Sequence, residues 1–156
     1  MTYTREFKLT PLREALPPGQ LHLADTPDLA ADYIRKAIHT SPQWHTETEC
    51  FAVLFLNTRR RVTGHIITAT GTLDTILVHP REVFRAAVIH GAAAIVLTHH
   101  HPSGDPTPSE ADIKVTRDLI RAGQLLKIDV LDQVITGHPQ HDKPHTSLRE
   151  LGYFYQ

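Results

Sequence analysis

Hydrophobic residues occur along this chain in short runs that are separated by polar and turn-forming segments. Residues 50–56 and 92–98 are apolar runs, too short for helices of this composition and typical of buried strands. Residues 61–69, 73–78 and 127–136 are further β-rich runs. The pattern therefore predicts five strands, with residues 50–56 as a central one.

Apolar positions at helical spacing predict two helices in the first part of the chain. Thr26 is a capping residue followed by proline, and the helix that it starts ends at Ser41-Pro42. The second helix spans residues 80–90, with a proline at its start and Gly91 as its stop signal.

A third helix follows the run at 92–98. Thr107 is its predicted cap, because a proline comes next and Glu110 stands three residues on. The amphipathic pattern continues to Gly123, where the helix is expected to end. Helices that alternate with strands predict an α/β protein, a three-layer α/β/α sandwich around a mixed sheet.

Composition sets the class of protein. The chain has 156 residues and a formal net charge of −1, which indicates one domain without a basic field for nucleic acid. The one cysteine, Cys50, excludes a disulfide framework and a cysteine-rich zinc site. No leader and no apolar run of membrane-spanning length is seen, so a cytoplasmic location without membrane attachment is expected. We predict an irregular arm over 1–24 and one domain over 25–156.

The candidate chemistry lies between residues 99 and 112. His99 and His101 follow an apolar run, and alternation along a strand presents them on one face with His100 turned away. The next helix brings back Asp112, with Ser109 on the same side of the helix. Two imidazoles and a carboxylate are the ligand set of a catalytic zinc site, with a fourth position for water. Ser109 is then a candidate donor to developing negative charge.

Three other enzyme classes with a His-x-His motif fit less well. A metallo-β-lactamase-like site needs an aspartate where this chain has Ser103. An amidohydrolase barrel needs about 250 residues. A zinc deaminase needs paired cysteines.

The remaining pattern is His-x-His, seven residues, Ser, two residues, Asp. It resembles the signature of the JAMM (MPN+, JAB) metalloproteases, and His-x-His-Pro-Ser-Gly resembles their bacterial RadC branch. The resemblance covers roughly residues 35–156. It implies a cytidine-deaminase-like JAB/MPN fold and a Zn²⁺ ion held by His99, His101 and Asp112.

The resemblance also implies a catalytic glutamate ahead of the first central strand. That position falls on Glu49, which would act as general base and then as acid to the leaving amine. Glu47 is the rival, because a strand would place both glutamates on one face. Two departures stand out. Asp132-Gln133 replaces a usual Asp-His pair, and residues 1–45 show no helix-hairpin-helix module.

These features predict a zinc-dependent metallohydrolase that cleaves a peptide or isopeptide bond in a peptide or protein substrate. The alternative is a DNA-repair-associated or mobile-element accessory protein, for which the triplet Arg59-Arg60-Arg61 is the only local basic feature noted. A scaffold in which metal only stabilises the fold is a third alternative. Direct nucleic-acid binding is not favoured, and a homodimer is left open.

Overall fold

The computed structural model describes residues 17–71 and 78–155. Its regular elements, in chain order, are a 3-10 turn (Pro18–Gln20), helix α1 (Pro27–Tyr33) continued by a π-helical turn (Ile34–Ile38), strands β1 (Cys50–Leu56) and β2 (Val62–Thr70), helix α2 (Pro80–His90), strand β3 (Ala94–His100), helix α3 (Glu110–Leu126), and strands β4 (Asp129–Thr136) and β5 (His145–Ser147).

The described strands form one sheet in the order β2-β1-β3-β4-β5. Strand β1 pairs antiparallel with β2 and with β3, β3 pairs parallel with β4, and β5 pairs antiparallel with β4. Every residue of β1 and of β3 is buried, as expected for strands that read as unbroken apolar runs. The predicted mixed sheet is confirmed.

Helices cover both faces of this sheet. On one face, α1 and the π-helical turn bury Ala31, Ile34 and Ile38 in a cluster with alternate residues of β1 and β3. On the other face, Phe84 of α2 and Leu119 of α3 pack in a second cluster, and each such buried side chain stabilises the fold by about 1.5–3 kcal/mol. The predicted three-layer α/β/α sandwich is confirmed.

The first two helices begin where the sequence predicts. The Thr26 hydroxyl accepts a hydrogen bond from the Leu29 N–H at 3.3 Å, which satisfies one free donor at the start of α1. Helix α2 ends at Gly91, whose φ of 75° lies in the left-handed region that glycine adopts at little cost.

The predicted cap of α3 is wrong. Thr107 donates its hydroxyl to Asp105 Oδ1 at 2.7 Å and is held in a turn before the helix. Ser109 is the cap instead, in a capping box whose other member is Asp112 rather than Glu110. The short Asp105 side chain captures the threonine, so the helix starts two residues later than predicted.

The predicted end of α3 is also wrong, because the helix passes through Gly123 and continues to Leu126. A Cβ atom at this position would lie 2.5 Å from the Ile128 carbonyl oxygen and 3.3 Å from the Phe84 ring. The glycine therefore allows a close approach between helix and neighbouring chain and does not stop the helix.

The strand boundaries shift slightly from the prediction. Strand β3 begins at residue 94 and ends at residue 100, two residues later than predicted at each end, and β4 begins at residue 129. Strand β5 was not predicted, because its three residues lie in a turn-rich tail. The predicted strand at 73–78 falls outside the described residues except for Val78.

The predicted N-terminal arm is described from residue 17 onward. Leu23 forms a β-bridge with Arg61, and Ala24 is buried at 4% exposure. This part of the arm therefore packs against the edge of the sheet at β2. Across residues 17–71 and 78–155, none of the helices combines the length and the apolar character that crossing a membrane requires.

Candidate metal centre

The end of β3 brings the two motif histidines to one side of the sheet. The His99 side chain is fully buried, and that of His101 is 12% exposed. The His101 N–H donates to the Thr136 carbonyl of β4 at 2.9 Å, so the backbone stays tied to the sheet one residue beyond β3. The predicted alternation is therefore present up to His101.

His99, His101 and Asp112 converge on one point. The Nε2 atoms of the two histidines lie 3.0 Å apart. Asp112 Oδ1 lies 3.0 Å from His99 Nε2, and Asp112 Oδ2 lies 3.2 Å from His101 Nε2. Ligands of a tetrahedral zinc ion lie about 3.3 Å from each other. Among the described residues, these three form the one group that could hold a metal ion.

The first turn of α3 positions Asp112. The Ser109 N–H donates to Asp112 Oδ2 at 2.7 Å, and the Asp112 N–H donates to Ser109 Oγ at 3.2 Å. This reciprocal pair fixes the carboxylate against the helix start, where the helix dipole favours negative charge. The same pair of hydrogen bonds therefore caps the helix and orients the aspartate towards the histidines.

The donor set fits a cation. Asp112 Oδ1 is buried and has no hydrogen-bond partner in the described part of the chain, a state that costs about 1–3 kcal/mol unless a ligand relieves it. His101 Nδ1 lies 2.8 Å from the Asp105 carbonyl oxygen. Because that oxygen can only accept, Nδ1 carries the proton, and Nε2 of the neutral ring offers a lone pair. A lone pair of His101 thus points towards the Asp112 carboxylate.

Charge in the cluster shifts two pKa values in opposite directions. Burial lowers the pKa of His101, but its hydrogen bonds to Asp112 and Asp105 and the charges of Asp112 and Glu49 hold it above its ordinary value. Burial raises the pKa of Asp112, but the close imidazoles of His101 and His99 and the Ser109 N–H outweigh burial and hold it far below its usual range. The aspartate is therefore ionised at neutral pH, as a metal ligand must be.

Glu49 lies beside this cluster. Phe51 of β1 pairs with His99 of β3, and Glu49 comes two residues before Phe51, just ahead of β1. The effect of the Glu49 charge on the pKa of His101 agrees with that position. Glu47 lies in an exposed turn before β1, so the strand that was expected to place both glutamates on one face is not formed there. The role of Glu49 as general base stays a prediction.

Ser109 lies at the open side of the cluster. The residue is exposed, and its hydroxyl oxygen accepts the Asp112 N–H, which leaves the hydroxyl proton for another partner. The predicted role as a donor to negative charge is compatible with this arrangement and stays a prediction.

His100 faces away from the cluster, as predicted, but it is buried and does not face solvent. It is 7% exposed, and its Nδ1 lies 3.2 Å from Thr136 Oγ1. Its ring contacts His39 and Trp44 at centroid distances of 5.7 and 6.3 Å. His100 thus belongs to the packing on the α1 face and is not a ligand.

Sequence reasoning missed the residues that hold the ligands. Gln133 was noted only as a departure from relatives, yet its amide lies 2.9 Å from His99 Nδ1. Thr116 and Asp105 were not singled out at all. The available signal was an amide side chain in the middle of the apolar strand β4, where an unpartnered polar group is costly.

Comparison with known proteins finds a family model and several curated relatives that match this chain. A family model described as "RadC-like JAB domain" matches residues 24–153. A UPF0758 protein of Thermosynechococcus vestitus is 40% identical over 139 residues, which is 89% of this chain and 52% of that protein. A UPF0758 protein of Staphylococcus carnosus is 43% identical over 129 residues, 83% of this chain and 53% of that protein.

A third relative is a UPF0758 protein of Moorella thermoacetica, which is 48% identical over 106 residues, 68% of this chain and 44% of that protein. The chain thus spans about half the length of the curated relatives it matches. Their shared name states no activity.

Proposed function

Because the chain belongs to the RadC-like JAB domain family, we propose that it is a zinc-dependent hydrolase that cleaves an amide bond of a peptide or isopeptide. One observation carries the proposal. Two histidines and an aspartate converge on a point where the buried Asp112 Oδ1 has no hydrogen-bond partner among the described residues. A divalent cation at that point would relieve the unsatisfied oxygen.

Imidazole and carboxylate ligands without a thiolate favour zinc in a catalytic role over zinc in a structural role. A zinc ion bound there supplies an activated water molecule and polarises the scissile carbonyl. His99, His101 and Asp112 would hold such an ion, and His101 and Ser109 reach solvent beside them.

Two side chains beside the cluster supply proton transfer and oxyanion stabilisation. Glu49 takes a proton from the attacking water as its oxygen adds to the carbonyl carbon. It then delivers the proton to the nitrogen as the carbon–nitrogen bond breaks. The Ser109 hydroxyl donates a hydrogen bond to the oxyanion, an interaction worth about 10²–10³-fold in rate in other hydrolases.

The alternative of a DNA-associated accessory protein draws less support. Of the basic triplet, Arg61 donates from Nη1 to the Leu21 carbonyl at 2.7 Å, so this guanidinium is engaged by the N-terminal arm. Binding to DNA that falls steeply with added salt would be the sign of that alternative.

The test has two parts. Metal analysis of purified protein and of zinc-reconstituted protein should give one zinc per chain. A library of peptides and isopeptide-linked peptides should then be hydrolysed by the zinc-loaded protein and not by Glu49→Gln. The matched control is Glu47→Gln, which should keep activity. Absence of stoichiometric zinc from both preparations, or equal activity of Glu49→Gln and the unmodified protein, contradicts the proposal.

A further inference from the structure

We propose that Gln133 and Thr116 form a relay that holds His99 in the tautomer zinc binding requires, with the proton on Nδ1 and the lone pair on Nε2. Both are positioning residues that act through His99, and the inference rests on the zinc site proposed above.

The relay is a closed path between three elements of the fold. From β4, the Gln133 amide lies 2.9 Å from His99 Nδ1 of β3 and 2.9 Å from Thr116 Oγ1 of α3. Thr116 Oγ1 donates to the Asp112 carbonyl oxygen one helical turn earlier at 2.7 Å. Gln133 and Thr116 are both 0% exposed, so water offers neither of them an alternative partner.

Counting protons favours one orientation of the amide. As placed, the Gln133 oxygen faces Thr116 Oγ1 and the amide nitrogen faces His99 Nδ1. Thr116 then has one hydroxyl proton for two acceptors, the Gln133 oxygen and the Asp112 carbonyl, so one of the two goes without it. If the amide is rotated by half a turn, its nitrogen donates to Thr116 Oγ1 and its oxygen accepts from His99 Nδ1–H. All three contacts are then satisfied at once.

That orientation has a consequence at the cluster. With the proton on Nδ1, His99 Nε2 presents a lone pair to Asp112 Oδ1 and to His101 Nε2, each 3.0 Å away. Lone pairs that face one another repel unless a cation lies between them. The hydrogen bonds of the buried network thus orient the lone pair of His99 towards the other two ligand atoms. Because Nε2 then has no proton to donate, Asp112 Oδ1 is left without a hydrogen-bond partner.

Side chains of similar size at position 133 separate this role from simple packing. Leucine fills the volume but cannot accept from Nδ1–H. Glutamate keeps the acceptor, and it favours the Nδ1–H tautomer because a carboxylate has no proton to donate. Thr116→Val removes the link to Gln133 and keeps the shape. Thr98→Val is the matched control, since Thr98 is equally buried and, among the described residues, its hydroxyl bonds only the Val134 carbonyl, at 2.8 Å.

The experiment measures zinc affinity by competition with a chelator and reads the tautomer of His99 from long-range proton–nitrogen NMR spectra of the metal-free protein. Zinc binding by the unmodified protein tests the proposed function, and the variants test the relay. We expect zinc to bind 10- to 100-fold more weakly to Gln133→Leu, the usual range for loss of a residue that orients a ligand. Gln133→Glu should bind at least as tightly as the unmodified protein, and Thr116→Val should show a smaller loss.

In the metal-free unmodified protein His99 should carry its proton on Nδ1, and in Gln133→Leu on Nε2. Thr98→Val should change neither the affinity nor the tautomer. The relay is overturned if metal-free His99 is protonated on Nε2 in the unmodified protein. It is equally overturned if Gln133→Leu binds zinc as tightly as Thr98→Val does, or if Gln133→Glu loses as much affinity as Gln133→Leu.

Discussion

At the scale of single residues, each of the three candidate ligands is held in place by a hydrogen bond to a residue outside the cluster. The two histidines make this bond through Nδ1, and the aspartate makes it through one carboxylate oxygen. His101 is held through Nδ1 by the Asp105 carbonyl, His99 through Nδ1 by Gln133, and Asp112 through Oδ2 by the Ser109 N–H. Such outer contacts fix the direction of ligand lone pairs before any ion binds. We therefore expect zinc affinity to depend more on the Asp112 carboxylate than on carboxylates outside the cluster.

Asp112→Asn tests this dependence. The change keeps the side-chain shape but removes the negative charge that attracts a cation, so zinc affinity should fall by at least about 100-fold. Calorimetric titration with zinc measures the loss. Asp118→Asn on the same helix is the control, because Asp118 is exposed and its ion pair with Arg121 is long at 3.7 Å. Equal affinity of the two variants would rule out Asp112 as a ligand.

The grouping of the three candidate ligands could be predicted from sequence, whereas the residues that hold them could not. Strand alternation and a short turn into a helix are local rules, and they were enough to group His99, His101 and Asp112. The contact between Gln133 and His99 joins residues 34 positions apart. It depends on the pairing of β3 with β4, which no local pattern specifies.

At the scale of elements, the start of α3 is the critical boundary. The sequence predicts the cap at Thr107, whereas the structure has it at Ser109, two residues later. Asp105 decides, because it binds the Thr107 hydroxyl and N–H. The choice between Glu47 and Glu49 as candidate general base depends in the same way on a boundary, the start of β1.

Substitution of Ser109 separates capping from catalysis. Ser109→Ala should lower the free energy of unfolding by about 1 kcal/mol, because the Asp112 N–H loses its acceptor. Ser109→Asn retains a good cap and should leave stability nearly unchanged. Ser109→Ala should lose about 10²–10³-fold in hydrolysis rate if the hydroxyl donates to the oxyanion, whereas Ser109→Asn keeps an N–H donor and should lose less. Chemical denaturation and steady-state kinetics measure the two effects. Full activity in Ser109→Ala would exclude the catalytic role.

Gly123→Ala tests the close approach within α3. The added methyl group would lie 2.5 Å from the Ile128 carbonyl oxygen, which is backbone and cannot rotate away. Overpacking of this kind costs about 1–3 kcal/mol, despite the better helix propensity of alanine. Thermal unfolding of Gly123→Ala against Gly19→Ala gives the comparison, since a Cβ at Gly19 has nothing within 4 Å. A stabilised Gly123→Ala protein would contradict the packing described here.

At the scale of the whole molecule, strand β3 separates two buried polar groups. On the α3 side lies the ligand cluster, and on the α1 side His39 stacks on Trp44 at 4.9 Å and lies 3.3 Å from Thr136 through its Nε2 atom. Burial lowers the pKa of His39 to about 4, with the charges of His100 and Arg35 acting in the same direction. This second group should make the stability of the fold depend on pH.

The sign follows from proton binding. Between about pH 6.5 and 4 the unfolded chain protonates His39 and the folded chain does not, so acid destabilises the fold. Asp132 acts in the opposite sense, because burial raises its pKa to about 6 and the folded state binds the extra proton. His39→Gln removes only the first contribution. Its unfolding free energy should therefore rise relative to the unmodified protein as the pH falls from 7 to 4. A difference that is constant with pH would refute the assignment to His39.

The capping box of α3 has one further consequence, for the rate at which a bound ion would leave. The carboxylate of Asp112 cannot swing away from the histidines while it holds the Ser109 N–H. Release then requires the first helical turn to fray, and a bound ion in turn keeps that turn closed. We expect the amide proton of Ser109 to exchange with solvent slowly when zinc is present and quickly after chelation. Amide exchange at one backbone position would thus report the residence time of the metal.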